Sequence, residues 1–267
     1  MALFSHKLAL CLGFIIFSLS CAPLSWALPE KEVSVQKVTV EQTRFIIKKA
    51  DGTLVKPEEL IEAQLVASND KGIQERYRID RVVPESSKKL GKIYLYQFSV
   101  QDPVSGTWKN LCEPDQSGRA LGFPLTGYWD QKGVYHSTKD SYHITCTSST
   151  IGKCALWGYA DPSLNKHLQA CVRMVRADYC GDGTSYTKEG IEISIQDNLN
   201  IKTSQQNPKL TFEATWNENG AVCLEKTRIP EIISLEGIQK KCPNNIEINK
   251  NCEKDFQQNK ALLRNKS

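Results

Sequence analysis

Asp178, Asp182 and Glu189 occupy the first, fifth and twelfth places of the dodecapeptide DYCGDGTSYTKE, with Gly183 at the sixth. That is the register of a helix-loop-helix calcium site, in which carboxylates, a seventh-place carbonyl (here Thr184) and a sharp glycine turn surround the cation with oxygen. Three residues oppose the reading. Cys180 stands where an oxygen ligand belongs, Ser185 replaces the apolar residue that pairs such loops, and the following GIEISIQD reads as a strand, not an exit helix. The competing reading is a helix stop. Gly181 and Gly183 supply positive φ, Asp178 and Asp182 bond local backbone, and Cys180 anchors the turn. It accounts for every residue of the turn, so no metal is expected. If Asp178 only caps, Asp178→Asn should cost no more than about 1 kcal/mol.

Other chemistries find less support. His167 and Cys171 lie one helical turn apart, a spacing that suits two zinc ligands. No cysteine pair has knuckle spacing, however: Cys146 and Cys154 are separated by seven residues, Cys171 and Cys180 by eight. Asp140, Ser141 and His143 are close in KDSYH, but neighbours alternate sides in a strand, so an edge strand with polar residues is the simpler reading. There is no Gly-x-Ser-x-Gly elbow. A two-carboxylate glycosidase is not legible in sequence, since its pair is defined in space. Trp108, Tyr128, Trp129, Tyr135, Trp157, Tyr159 and Trp216 could stack on sugar rings if exposed, although tryptophans in cysteine-rich domains more often fill the core.

These groups must be positioned by a helix and several strands. Asp161 as N-cap and Pro162 at the first position open a helix whose apolar face is Leu164, Leu168, Cys171, Val172 and Val175. Strands at 190–197 and 210–216 are its expected cover, Asn219-Gly220 marks a hairpin, and a short helix should follow Pro230. The first third alternates with period two from Val33 to Val40, around Tyr77–Val83 and from Ile93 to Val100, with turns at Asp51-Gly52, Asn69-Asp70 and Asp102-Pro103. The fold class is therefore α+β, mainly antiparallel β with one central amphipathic helix. The expected organisation is residues 1–27 a leader, 28–87 a strand-rich segment, 88–245 a cysteine-rich domain, and 246–267 a polar tail that frays.

Lys7, the apolar run from Leu8 to Leu19 and Ser25-Trp26-Ala27 form a signal peptide cut after Ala27. The run is too short to span a membrane, which takes about 20 residues. Cys21 is not expected to carry a lipid, because Ser18 stands where a leucine normally precedes a lipidated cysteine. Cleavage removes Cys11 and Cys21 and leaves Cys112, Cys146, Cys154, Cys171, Cys180, Cys223, Cys242 and Cys252, an even number suited to disulfides in an exported chain. The pairing stays open. On one continuous helix Cys171 and Cys180 would lie about 13 Å apart, beyond disulfide reach, so either the helix stops between them or each has another partner. A thiolate enzyme would need an unpaired cysteine. The net charge falls from +4 to about +3 with the loss of Lys7, and the lysines are scattered among acids, so no nucleic-acid footprint is present.

The blocks CTSSTIGKCALWGY (146–159), QACVRMVRADYCGDG (169–183) and FEATWNENGAVCLEKTRI (212–229), followed by Cys242-Pro243, closely resemble the ADYC domain of exported bacterial proteins, whose tetrapeptide is here Ala177, Asp178, Tyr179 and Cys180. The resemblance covers roughly residues 88 to 245 and implies no assigned chemistry, cofactor or catalytic residue. The expectation is an exported module, periplasmic or extracellular, that binds a protein or glycan ligand or serves structurally, with no cofactor and no span across the membrane. The alternative is a secreted hydrolase with a site near Asp178, Asp182 and His167.

Overall fold

The computed structural model describes residues 35–68, 71–130, 132–138, 141–204, 207–243, 246–248, 251, 252, 256 and 261–267. The expected leader with Cys11 and Cys21, the first strand's start at Val33, the Asn69-Asp70 turn and Asp140 lie outside them.

The described residues begin with a hairpin, β1 (Val35–Glu41) and β2 (Arg44–Lys49), turned at Gln42 and Thr43. Then come β3 (Gln64–Ser68), β4 (Gln74–Ser87), β5 (Gly91–Gln101), β6 (Trp108–Asn110) and β7 (Gly122–Thr126), a two-residue hairpin of β8 (Tyr128–Trp129) with β9 (Tyr135–His136), and β10 (Tyr142–Cys146). Strands β10-β7-β5-β4-β3 form one antiparallel sheet in that order, with β6 added to β5. Alternation fails in the middle of β5, where Ile93, Tyr94, Leu95, Tyr96 and Phe98 are all buried. The β1–β2 hairpin explains this by covering one face: Phe45 packs edge-on against Tyr96, Phe98 and Tyr142, with ring centroids 5.5, 6.4 and 5.3 Å apart.

Helix α1 (Thr150–Cys154), capped by Ser149, runs into a wound segment, Ala155–Tyr159, and a single turn, Pro162–Leu164, leads into α2 (Asn165–Arg176). Asp161 caps that start as expected, accepting from the Ser163 N–H at 2.8 Å. Behind the helix stands a second sheet from β11 (Ser194–Asp197), β12 (Phe212–Asn217), β13 (Gly220–Leu224) and, after α3 (Leu235–Lys241), β14 (Glu247–Ile248) and β15 (Leu263–Lys266). Its order is β11-β15-β12-β13-β14, all antiparallel except β13 with β14. The helix is buried beyond its expected stripe: Gln169, Ala170, Arg173 and Met174 are covered too, because the β8–β9 hairpin closes its other side. Trp129 Nε1 donates to Gln169 at 2.8 Å, and Gln169 Nε2 donates to the Gly133 carbonyl at 2.6 Å.

Four disulfides join Cys112 to Cys146, Cys154 to Cys171, Cys180 to Cys242 and Cys223 to Cys252. Both conditions for Cys171 and Cys180 hold: the helix ends at Arg176, and each has another partner. The first bridge joins the loop after β6 to the end of β10, the second ties α1 to α2, the third ties the turn after α2 to α3, and the fourth holds β13 to the chain beyond β14. By removing freedom from the unfolded chain, such bridges typically contribute about 2–4 kcal/mol each. One buried cluster runs through both sheets, from Phe45 to Leu263. The division expected at residue 87 coincides with the β4–β5 turn, whose strands pair from Tyr77–Val100 to Ser87–Gly91.

The C-terminal segment corrects the expectation of a fraying tail. Strand β15 lies inside the second sheet, between β11 and β12. Its polar composition hid this, since each polar side chain has a partner indoors: Asn265 accepts from Trp216 Nε1 at 2.8 Å and donates to Glu213 at 2.6 Å, and Arg264 donates to Gln196. Leu263 is fully buried, so Leu263→Ala should cost about 2–5 kcal/mol in urea denaturation. A loss below about 1 kcal/mol would show that β15 is not part of the cooperative core.

Candidate functional site

Helix α2 is stopped at Ala177, which takes the left-handed conformation at φ 51°. Its N–H and that of Asp178 turn back to the carbonyls of Met174 and Arg173, at 3.0 and 2.8 Å. This satisfies two of the carbonyls that a helix end leaves open. The Asp178 carboxylate then folds over the turn and accepts the N–H groups of Asp182 (3.1 Å) and Gly183 (2.9 Å). It also pairs with the Arg173 guanidinium. Both side chains are buried, at 2% and 0% exposure.

Tyr179 carries the turn to the sheet. Its carbonyl accepts from Ala221 N–H of β13 at 2.9 Å, its ring stacks on Trp216 at 5.4 Å, and its hydroxyl donates to Glu213 at 3.1 Å while accepting from Arg228 N–H at 2.7 Å. Burial and the Glu213 charge raise the phenol far above its ordinary range, so it stays neutral. Arg228 grips Glu213 through Nε and Nη2, both at 3.0 Å, and donates to the Met174 and Val175 carbonyls at 2.7 and 2.9 Å. Cys180 is held by its bridge to Cys242. Glycine is required at 181, where φ is +68° and a Cβ would lie 1.8 Å from the Asn219 carbonyl oxygen, and at 183, where it would lie 2.8 Å from that of Lys132.

The residues singled out for calcium are thus not gathered into a site. Asp178 is used up by an arginine and two amides; Asp182 accepts from Thr184 N–H at 2.9 Å and pairs with Lys241 at 3.1 Å; Glu189 is exposed. Among the described residues no three His, Cys, Asp or Glu side chains gather to hold a metal. The suggested hydrolase trio is not assembled. His167 stands in the first turn of α2 and Asp178 beyond its last, roughly 15 Å away along the axis. His167 instead bonds Asn198 at 2.8 Å and stacks on Tyr159. Asp178 also does more than cap, which corrects the small cost expected of its substitution. Sequence reasoning missed Arg173, Glu213, Arg228 and Asn265; charges inside a helix face and a strand, where apolar residues belong, were the available signal.

Of the aromatic candidates, Tyr159 and Trp216 belong to the core. Trp108 lies under Arg78, Trp157 under Lys202, and Tyr135 donates its hydroxyl to the Thr126 carbonyl at 2.7 Å. Tyr128 is 44% exposed and stacks on His136, which also bonds Asp130 at 2.9 Å. His143 sits in β10, an edge strand as expected, against the edge of Trp129. An open cleft of about 350 Å³ lies between the β1–β2 and β4–β5 turns, the wound segment at Gly158 and the loop after β11.

Two outcomes follow. Asp178→Asn strips Arg173 of its buried counter-charge and should cost about 3–5 kcal/mol. In a double-mutant cycle with Arg173→Met the pair should show a coupling of at least about 1 kcal/mol, and additive losses would refute the ion pair's role. Burial pushes the His143 imidazole down to about 4. Its neutral form is favoured in the fold, so the stability it confers is complete above its ordinary pKa of about 6.5 and declines as pH falls from there towards 4. Thermal melts of His143→Gln across that window should fall less steeply than wild type; parallel curves would assign the acid sensitivity elsewhere.

No curated protein and no solved structure matches the chain. The described residues contain no helix long and apolar enough to cross a membrane. The family model of the ADYC domain matches residues 57–230, beginning before the expected residue 88. With the helix stop, the Tyr179 anchor and the Cys180 bridge all formed by the tetrapeptide itself, the chain belongs to the ADYC domain family.

Proposed function

We propose that the protein is an exported, disulfide-locked binding or structural module and not an enzyme. One observation carries the reading: the residues that look catalytic in sequence are consumed by the fold. Asp178 neutralises a buried arginine, Asp182 accepts from Thr184 N–H and pairs with Lys241, and His167 bonds an asparagine and packs on a tyrosine. A general acid or base needs a titrating group within reach of a substrate, and these are sealed or already engaged. Nucleophilic sulfur is likewise excluded by the four bridges, which use all eight cysteines of the expected mature chain.

Export is supported by Lys7, the apolar run and Ser25-Trp26-Ala27 in sequence, and by four bridges that persist only in an oxidising compartment. The ligand is then a protein or a glycan met in the periplasm or outside the cell. The test is intact mass of the protein recovered from that compartment, before and after reduction and alkylation. The chain should begin at Leu28, gain about eight hydrogens on reduction as four bridges require, and take no alkylation beforehand. A retained leader would sink export. Turnover of chromogenic esters or glycosides that is lost in a folded His167→Ala variant would overturn the non-catalytic reading.

A further inference from the structure

The cleft beside Gly158 is built by segments far apart in the chain, and its polar lining is unusual in being balanced. Gln42 comes from the β1–β2 turn, Lys89 from the β4–β5 turn, Asp161 and Ser163 from the start of α2, and Asn200 from the loop after β11. Its volume of about 350 Å³ falls at the small end of ligand sites, which run from about 300 to 1,000 Å³.

The lining selects a chemical class. Among the described lining residues one ammonium and one carboxylate cancel, which leaves no excess of cations for a phosphate or a dicarboxylate. The Gln42 and Asn200 carboxamides each donate and accept, and Ser163 Oγ, whose own proton goes to Asp161, is left to accept; together they match ligand groups that do both, namely alcohol hydroxyls. Leu90, Leu164 and Ile201 supply aliphatic surface for the C–H face of a ring, but too little for a lipid chain, and among the described residues no aromatic plate lines the cleft for a nucleobase. Both Ser163 bonds to Asp161, from N–H and Oγ–H, fall on Oδ1. That leaves Oδ2 as an acceptor, on a carboxylate that those bonds hold below its ordinary range and hence charged. Gln42 and Asn200 present their amides from left-handed backbone, at φ 52° and 59°. That conformation is costly for glutamine in particular. The wall opposite is rigid: Gly158 approaches Ile201 so closely that a Cβ would lie 2.4 Å from its Cγ2.

We infer that this cleft binds a short neutral saccharide of one or two rings, its hydroxyls shared among Gln42, Lys89, Asp161, Ser163 and Asn200. The inference deepens the binding-module reading and rests on it. The test titrates the mature, oxidised protein with maltose, cellobiose and N,N′-diacetylchitobiose, and with inorganic phosphate as a control, by heteronuclear NMR. At least one sugar should give saturable shifts at the amides of Leu90, Gly158, Asn200 and Ile201. Gln42→Gly with Asn200→Gly removes both carboxamides while glycine keeps the left-handed turns. The double variant should bind that sugar about tenfold more weakly, the loss of two neutral hydrogen bonds, with its other amide shifts unchanged.

Silence with all three sugars, shifts elsewhere on the surface, response to phosphate alone, or undiminished binding by the double variant each overturns the saccharide site. None of these touches the non-catalytic reading. Hydrolysis of a disaccharide in the NMR tube would instead support the site and sink that reading.

Discussion

Glu213 is a fully buried carboxylate near the start of β12, and the second half of the molecule is organised around its neutralisation. An unpaired charge there would cost several kilocalories per mole. Arg228 meets it with two N–H groups, Asn265 adds a third donor and Tyr179 a fourth. Each partner comes from a different part of the chain: the loop after β13, the last strand, and the turn after α2. Satisfying one carboxylate therefore sets where the helix ends, where the C-terminus inserts and how the motif lies on the sheet. Arg228 extends the arrangement by capping two carbonyls of α2.

The second ion pair repeats the logic at shorter range. Arg173 and Asp178 are five residues apart, one on the last turns of α2 and one just past it, and their pairing folds the chain back on its own helix. Two close approaches, of Gly181 to Asn219 and Gly183 to Lys132, then press the turn between the β12–β13 hairpin and the β8–β9 loop. The bridge from Cys180 to Cys242 fastens α3 to the same point. A polar network of this kind is rigid only when complete, and the tetrapeptide that marks the family is an assembly point for the fold.

The motif and the cleft are separated in space. The motif is sealed, whereas the open cleft draws on turns and loops at the junction of the two sheets. Its shape depends on the shared core holding those turns in register. The aromatic side chains that suggest sugar binding in sequence mostly serve packing, and the polar residues of the cleft carry no sequence signature because they are scattered from Gln42 to Asn200.

What sequence alone determined was local or compositional. Period-two alternation marked β4, a run of β-branched and aromatic residues marked β5, Asp161-Pro162 started the helix, Asn219-Gly220 turned the hairpin, the glycines of DYCGDG ended α2, and the even count of cysteines from Cys112 onward indicated bridges. All of these depend on neighbours within a few residues or on totals. Tertiary structure decided what depends on distant partners: which cysteines pair, why Arg173 and Gln169 are covered by a hairpin 40 residues earlier in the chain, and why LRNK is an interior strand and not a tail. Polar residues read as exposed in sequence because solvent is their default partner. Trp216, Glu213 and Gln196 replace that solvent for the last strand, and only the folded chain brings them there.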